Sequence, residues 1–454
     1  MPTRRDFLMM SLLSGAMIAI NSSALAQEGI RAKVKGASAI TQVFGDGIRL
    51  TAVAVEYDEA VSGESLSKAD FSVEGRTVTG VFASASANPA DKAADGHFVI
   101  VTLSPDDANA PLVEKMDAKN GKDVKKGTQP PSSGGKGGPG KAGDIPAYDT
   151  TYALPVGKVH QTGDIKSVQG DRIAAMPAPL TTTQAENLVV DDFESLMFTD
   201  AKTGKTLRYN LFVPKHYDPK QKYPLVLFMH DAGATSDVTR STLYQGLGAI
   251  AWASPADQAQ RPAFVLAPQY AEIIADDDSK TSDALDATLN LITSLSEQYN
   301  IDRNRCYATG QSGGCMMSIA MNIKYPTFFA ASFLVAGQWD PALVKPLARQ
   351  KLWILVSQDD DKAFPGQNAI TEVLKKEGAK IATAVWDGRW SADQFRKASQ
   401  AIESEECPIN YVSFAKGTVI PPNQSSAGAS GHRNTWRIAY TIEPIREWLF
   451  RQHR

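Results

Sequence analysis

Cysteine is scarce in this 454-residue sequence, which has three residues of this type, at positions 306, 315 and 407. So few thiols exclude a disulfide-stapled scaffold and a zinc module held by cysteines. An odd number also leaves at least one thiol free. A bridge between Cys315 and Cys407 remains open as an alternative to three free thiols.

An excess of either charge is also missing, since the formal net charge is −3 at pH 7. This balance gives no electrostatic reason to expect a nucleic acid or an anionic membrane as a partner. Hydrophobic residues make up 43% of the chain, which is ample for a buried core. The length indicates two or three domains.

Long apolar runs are absent beyond the first residues. Arg4 and Arg5 stand just ahead of a mostly apolar stretch at 8–20 that is too short to span a bilayer. The small-residue site Ala24-Leu25-Ala26 then suits a signal peptidase. The pattern predicts a twin-arginine signal over 1–26, a mature chain that begins near Gln27, and a periplasmic or secreted protein without a membrane anchor. An uncleaved anchor is the alternative.

The first half of the mature chain is typical of an all-β domain. Between 36 and 103, short alternating segments are separated by Gly, Asp and Asn, which predicts a β-sandwich. Over 115–143 the composition falls to Lys, Gly, Pro, Ser and Asp, and we expect a disordered insertion there. Strand-like segments resume near 150, so the predicted domain covers 27–175.

From residue 176 to 454 the pattern changes. Continuous apolar runs alternate with helical stretches, which predicts a mostly parallel sheet flanked by helices. We expect strands at 207–213, 225–229, 264–267, 305–309, 331–335, 352–356, 381–386 and 410–416, and helices at 282–299, 313–325, 367–377, 391–403 and 434–450.

The stretch 306–317 predicts a nucleophile elbow. It contains Gly310-Gln311-Ser312-Gly313-Gly314 between a predicted strand and a predicted helix. A serine on such a turn is exposed at the end of the sheet, and the helix N-terminus points its amides at the reacting centre. Ser312 is therefore the candidate nucleophile, with the N–H of Gly313 as an oxyanion donor.

A serine nucleophile needs a base, and the base needs an acid to orient it. His432 follows the last predicted strand in a Gly/Ser-rich loop, so we expect it to be the base. The run 359–361 follows the strand at 352–356 and contains three aspartates. Its spacing to Pro365 favours Asp361 as the acid. Asp340 is a further candidate.

A second oxyanion donor is expected in His230-Asp231-Ala232-Gly233, which occupies the place of the His-Gly-Gly motif of esterases. The backbone N–H of Ala232 or of Asp231 would pair with that of Gly313. Asp231 stands where glycine is usual. Its carboxylate would oppose an oxyanion unless it points away or is neutralised.

These residues carry a family resemblance. The chain resembles exported α/β-hydrolase esterases that have an N-terminal immunoglobulin-like domain, a group related to the polyhydroxybutyrate depolymerase and feruloyl esterase lineage and described as prolyl oligopeptidase-like. The supporting stretches are 40–47 and 70–73 in the first domain, and 223–230, 301–305, 310–314, 362–366 and 432–436 in the second.

The resemblance implies a two-domain carboxylesterase that acts through an acyl-enzyme, with no metal or organic cofactor. It favours Asp360 at least as well as Asp361. The substrate would be a small or polymeric ester, and the sandwich would serve binding or homo-oligomer formation. Trp252, Gln269 and Tyr270 are candidates to line the pocket. The alternatives are a polyester depolymerase or a peptidase of the same fold, and a non-catalytic binding protein that uses the β-sandwich.

Overall fold

The computed structural model describes residues 34–114, 117–118, 140–146 and 148–454. The predicted signal at 1–26 lies outside these residues, and of the predicted insertion only 117–118 and 140–143 are included. Within the described ranges, no helix combines the length and the apolar character needed to cross a bilayer.

The N-terminal domain is built mainly from β-strands, of which β1 and β2 are the longest. The main sheet has the order β12-β1-β2-β5-β4, a second sheet has the order β11-β8-β3, and β6-β7 and β9-β10 form two-stranded ribbons. The strands are β1 (Val34–Phe44), β2 (Gly47–Ser62), β3 (Phe71–Val73), β4 (Val78–Ser84), β5 (Asp95–Leu103), β6 (Asp117–Ala118), β7 (Tyr148–Asp149), β8 (Lys158–Gln161), β9 (Ile165–Lys166), β10 (Arg172–Ile173), β11 (Leu180–Thr181) and β12 (Gln184–Asn187).

The N-terminal sheets extend past residue 175, the predicted end of the domain. Strand β11 pairs with β8, and β12 lies parallel to β1 with Ser38 opposite Gln184. The Pro-rich passage near 177 therefore lies between strands of these sheets. Proline suits a connection between strands, because it has no backbone N–H to donate to a neighbouring strand.

A nine-stranded sheet forms the centre of the C-terminal domain, in the order β13-β14-β16-β15-β17-β18-β19-β21-β20. Only the pairs that involve β14 are antiparallel in this sheet. The strands are β13 (Glu194–Thr199), β14 (Thr206–Phe212), β15 (Tyr223–Met229), β16 (Phe264–Gln269), β17 (Ile301–Gln311), β18 (Ala331–Val335), β19 (Leu352–Ser357), β20 (Ile381–Trp386) and β21 (Ile409–Phe414). The predicted mostly parallel sheet is present.

Helices cover both faces of this sheet. They are α1 (Ser241–Tyr244), α2 (Leu247–Ala253), α3 (Pro255–Gln260), α4 (Ala284–Gln298), α5 (Gly313–Lys324), α6 (Ala363–Lys376), α7 (Ala392–Glu403), α8 (Ser430–Ala439) and α9 (Glu443–Phe450). Successive side chains of a strand point to opposite faces. Val226 and Phe228 accordingly join the core with α2, α7, α8 and α9, whereas Leu225 and Leu227 join the core with α4, α5 and α6.

The first of these cores is continuous with the core of the N-terminal domain. The same buried cluster contains Val53 and Val101 from the N-terminal sheets and Trp252 and Trp448 from the C-terminal helices. Burial of apolar surface thus holds the two domains against each other.

Residues 140–146 are attached to the C-terminal domain. The N–H of Gly143 donates to the carbonyl of Ile273 at 2.8 Å, and the N–H of Ile273 donates to the carbonyl of Asp144 at 2.8 Å. The N–H of Ala142 donates to the carboxylate of Asp276. Residues 142 and 143 of the predicted insertion are thus hydrogen-bonded to the C-terminal domain, a pairing that their composition did not indicate.

The turn between β1 and β2 packs against α8. A Cβ placed on Gly45 would lie 2.2 Å from the carbonyl oxygen of Arg437, so only glycine fits this contact. Since α8 also carries His432, the turn touches the helix of the candidate base.

We expect Gly45→Ala to lower the free energy of unfolding by about 1–3 kcal/mol, because the methyl group would force the domains apart. Gly36→Ala is the matched control on β1, since a Cβ there would meet no atom within 4 Å. Denaturant unfolding of both variants checks this, and equal midpoints would show that the contact is not tight.

Candidate active site

Ser312 lies on a strained turn between β17 and α5. Its backbone has φ 51° and ψ −115°, a conformation that L-residues rarely adopt. A Cβ on Gly314 would lie 1.9 Å from the carbonyl oxygen of Met229, so the helix can start this close to β15 only with glycine there. The elbow predicted from the sequence is the geometry that the structure has.

The structure brings Ser312, His432 and Asp360 together. Ser312 Oγ lies 2.9 Å from His432 Nε2, and His432 Nδ1 contacts Asp360 Oδ2. His432 lies in the first turn of α8, not in a loop before the helix as predicted. The edge of its ring meets Trp436 at a centroid distance of 4.9 Å, which fixes the imidazole plane.

Asp360 is ionised at neutral pH. Burial, which leaves the side chain 3% exposed, acts to raise its pKa, but the hydrogen bond and charge of His432 and the N–H groups of Ala363 and Lys362 outweigh it, so the pKa is lowered. An ionised carboxylate accepts the Nδ1–H of His432, which leaves Nε2 free to accept the proton of the serine hydroxyl.

The other candidate acids do not reach the histidine. Asp361 is exposed, because the chain turns outward after Asp360 to start α6. Asp359 accepts the N–H of Gly417 at 2.7 Å, and Asp340 accepts the N–H of Ala342. The contact geometry therefore selects Asp360 and corrects the candidacy of Asp361.

The backbone nitrogens of Ala232 and Gly313 lie near each other next to Ser312. The nitrogen of Ala232 is the neighbour that a Cβ on Gly313 would meet, at 3.6 Å. Among the described residues, the N–H groups of Ala232 and Gly313 have no hydrogen-bond acceptor. Such free, adjacent donors at a helix N-terminus favour an anionic oxygen.

The carboxylate of Asp231 accepts hydrogen bonds from its own loop and from the end of β17. Its Oδ1 accepts the N–H of Gly233 at 2.8 Å, and its Oδ2 accepts Gln311 Nε2 at 3.0 Å. Asp231 thus connects the turn Ala232–Ala234 to the residue that precedes Ser312. Its charge is partly offset by these bonds, which answers the concern raised by a carboxylate at this position.

His230 is hydrogen-bonded to the backbone of the same loop. It is 1% exposed, its Nδ1 lies 2.7 Å from the carbonyl of Asp231, and its Nε2 accepts the N–H of Tyr270 at 3.0 Å. Burial lowers its pKa, while the bond to Asp231 and the Asp231 charge act weakly in the other direction. His230 is therefore a neutral structural residue.

The three residues proposed to line a pocket are buried instead. Gln269 donates to the carbonyl of Ala234, and the hydroxyl of Tyr270 bonds Thr288. The indole N–H of Trp252 donates to the carbonyl of Gly248 within α2. With exposures of 0–2%, Trp252, Gln269 and Tyr270 support the loop or the core and do not face substrate.

A cavity next to α5 is lined by residues other than Trp252, Gln269 and Tyr270. A cavity of about 260 Å³ lies next to the first turn of α5 and is lined by Asp277, Asp278, Met316, Gln338, Trp339 and Asp340, among others. Lys362 and Gln338 both bond Asp277 on this rim. Met316 belongs to α5 and Asp340 was a candidate acid, whereas Asp277, Asp278, Gln338 and Trp339 lie in connections that carry no recognised motif.

All three thiols are free. Cys315 is buried where a Cβ on Gly337 would meet its sulfur, and Cys407 lies half-buried elsewhere. Burial raises the pKa of Cys306 to about 12 and raises that of Cys315 as well. The alternative of a Cys315–Cys407 bridge is excluded in this structure. In the described part of the chain, no cluster of three or more His, Cys, Asp or Glu side chains is arranged to hold a metal.

The lowered pKa of His230 predicts that the folded protein is less stable in acid. Its folded pKa lies below the ordinary 6.5, so the unfolded chain binds the extra proton first. The free energy of unfolding should therefore fall as the pH drops below about 6.5, with a slope of up to ~1.4 kcal/mol per pH unit from this residue.

We expect His230→Asn to remove that part of the slope, whereas the exposed His216→Asn should keep it. Denaturant unfolding between pH 5 and 8 measures both. Identical slopes in the wild type and His230→Asn would show that His230 is not held neutral.

Comparisons with known proteins agree with this architecture. Residues 36–174 match the model of the esterase Ig-like N-terminal domain. A crystal structure of a thermostable esterase superimposes with a TM-score of 0.74 and 26% identity, over 93% of this chain and 100% of that one.

Short matches to fungal enzymes add to this. Acetylxylan esterase A of Aspergillus oryzae is 42% identical, and that of Emericella nidulans 44% identical, in each case over 48 residues, or 11% of this chain. The matched stretch spans 16% of the length of these relatives. Both the predicted resemblance and the predicted fold class are confirmed: the chain joins an immunoglobulin-like domain of the esterase type to an α/β-hydrolase domain.

Proposed function

We propose that the protein is a serine carboxylesterase that hydrolyses ester bonds through an acyl-enzyme. The contact of 2.9 Å between Ser312 Oγ and His432 Nε2, with Asp360 on the other ring nitrogen, carries this proposal. The full-length similarity to a thermostable esterase supports it. Cys306 and Cys315 are buried and so is the neutral His230, which makes them poor alternatives to Ser312 and His432.

The proposed reaction starts with proton transfer. His432 takes the hydroxyl proton as Ser312 Oγ attacks the ester carbonyl, and Asp360 stabilises the imidazolium that forms. The N–H groups of Gly313 and Ala232 would donate to the carbonyl oxygen as it becomes an anion. His432 then protonates the departing alcohol, and a water activated by the same histidine hydrolyses the acyl-enzyme.

Acetyl esters are the first substrates to test, because acetylxylan esterases are among the relatives. We expect Ser312→Ala to lower the hydrolysis of p-nitrophenyl acetate by about 10⁶-fold, with an unchanged melting temperature. Ser318→Ala is the control, since it removes another hydroxyl from α5 that bonds only the carbonyl of Gly314. A Ser312→Ala enzyme as fast as the wild type would refute the proposal.

The acid has its own test. Asp360→Asn should lower kcat about 10⁴-fold, because an amide N–H or carbonyl cannot hold the required tautomer of His432. Asp361→Asn should leave kcat close to that of the wild type, since Asp361 is exposed. Steady-state kinetics of the two neighbouring variants gives the answer, and the reverse result would make Asp361 the acid.

A further inference from the structure

We propose that Thr150 and Tyr152 of the N-terminal domain are positioning residues for the oxyanion loop, defined as 231–234 of the C-terminal domain. The inference rests on the proposed esterase function, because it assigns the amide of Ala232 a role in that reaction. It makes the N-terminal domain a part of the active-site framework.

The first observation is a hydrogen bond across the domains. Thr150 Oγ1 donates to the carbonyl oxygen of Gly233 at 3.1 Å. The N–H of Gly233 itself donates to Asp231 Oδ1. Gly233 is thus held on one side by its own domain and on the other side by Thr150. The peptide that follows Ala232 is held through its N–H by Asp231, and the next peptide is held through its carbonyl by Thr150.

The second observation concerns the packing of Tyr152. The ring of Tyr152 meets the ring of Tyr244 edge-on, with centroids 5.0 Å apart. The pKa of Tyr152 is raised, by burial first and then by the charges of Asp231 and Tyr244. Gln245, which follows Tyr244 in the chain, accepts Gln311 Nε2 at 3.4 Å. Tyr152 thus packs on the end of α1, and Gln245 at this end shares the donor Gln311 Nε2 with Asp231.

The third observation is that the N-terminal domain itself fixes this segment. The N–H of Ala153 donates to the carbonyl of Leu112, and that of Glu114 donates to the carbonyl of Thr151, both at 2.7 Å. Leu112 is bonded in turn to Ile48 of β2. The segment that carries Thr150 and Tyr152 is consequently held by backbone bonds within its own domain.

The chemistry makes this support relevant. An oxyanion donor lowers the barrier only if its N–H already points to where the negative charge develops. The loop 231–234 is a short turn whose middle residue, Gly233, is exposed. Contacts from the neighbouring domain restrict the motion of the Ala232 amide, and their loss should weaken the transition state more than substrate binding.

The test compares three threonine variants in the full chain. Thr150→Val should lower kcat for p-nitrophenyl acetate about fivefold, the effect of one hydrogen bond, with KM unchanged. Thr150→Ser keeps a hydroxyl and should restore kcat. Thr79→Val is the matched control, because it removes an exposed hydroxyl contact between Thr79 on the edge strand β4 and Thr102 on β5.

Tyr152→Leu should lower kcat further, by roughly ten- to a hundredfold, since a displaced loop misaligns the donor. For both variants, the inhibition constant of a boronic acid transition-state analogue should rise in parallel with the loss of kcat. A purely structural contact would lower the melting temperature without this parallel.

The inference is overturned if Thr150→Val and Tyr152→Leu keep the wild-type kcat, or if Thr150→Ser fails to rescue. That failure differs from failure of the proposed function. If only the inference fails, the wild type still hydrolyses the ester and Ser312→Ala does not. If the proposed function fails, Ser312→Ala and the wild type are equally fast.

Discussion

The strained backbone of Ser312 is the constraint on which the rest of the site depends. Its φ of 51° costs on the order of 1–3 kcal/mol, and the packing of α5 against β15 through Gly314 maintains it. Because the turn cannot relax, Ser312 Oγ stays at the carboxyl end of the sheet. The loops after β15 and β19 and the first turn of α8 reach the same edge and bring Ala232, Asp360 and His432 to it.

Two buried polar networks stabilise this edge, and they have different electrostatic roles. Around His432, the ionised Asp360 sets the tautomer and the direction of the proton. Around the oxyanion loop, His230 remains neutral and only determines the position of the backbone. Both ring nitrogens of His230 are bonded to backbone groups, so His230 has no free nitrogen to take the proton of Ser312 and does not compete with His432.

The sequence predicted what local patterns encode. Strands with continuous apolar runs and the glycines of the elbow are set by near neighbours, and these agree with the structure. The predicted helix 434–450 is two helices, α8 and α9, since Pro444 starts the second one. Glycines 428 and 431 suggested a loop where α8 begins. The choice of Asp360, the burial of Trp252 and the contact of Thr150 depend on elements far apart in the sequence, so no spacing could reveal them.

The parallel pairing of β12 with β1 also matters for how the chain can be divided. The N-terminal sheet receives its edge strand from 184–187, after the segment where the composition changes. A fragment that begins at 176 would carry β11 and β12 without their partners, and the remaining sheet would expose an unpaired edge open to other chains. The N-terminal sheet is therefore complete only when the chain has been made as far as residue 187.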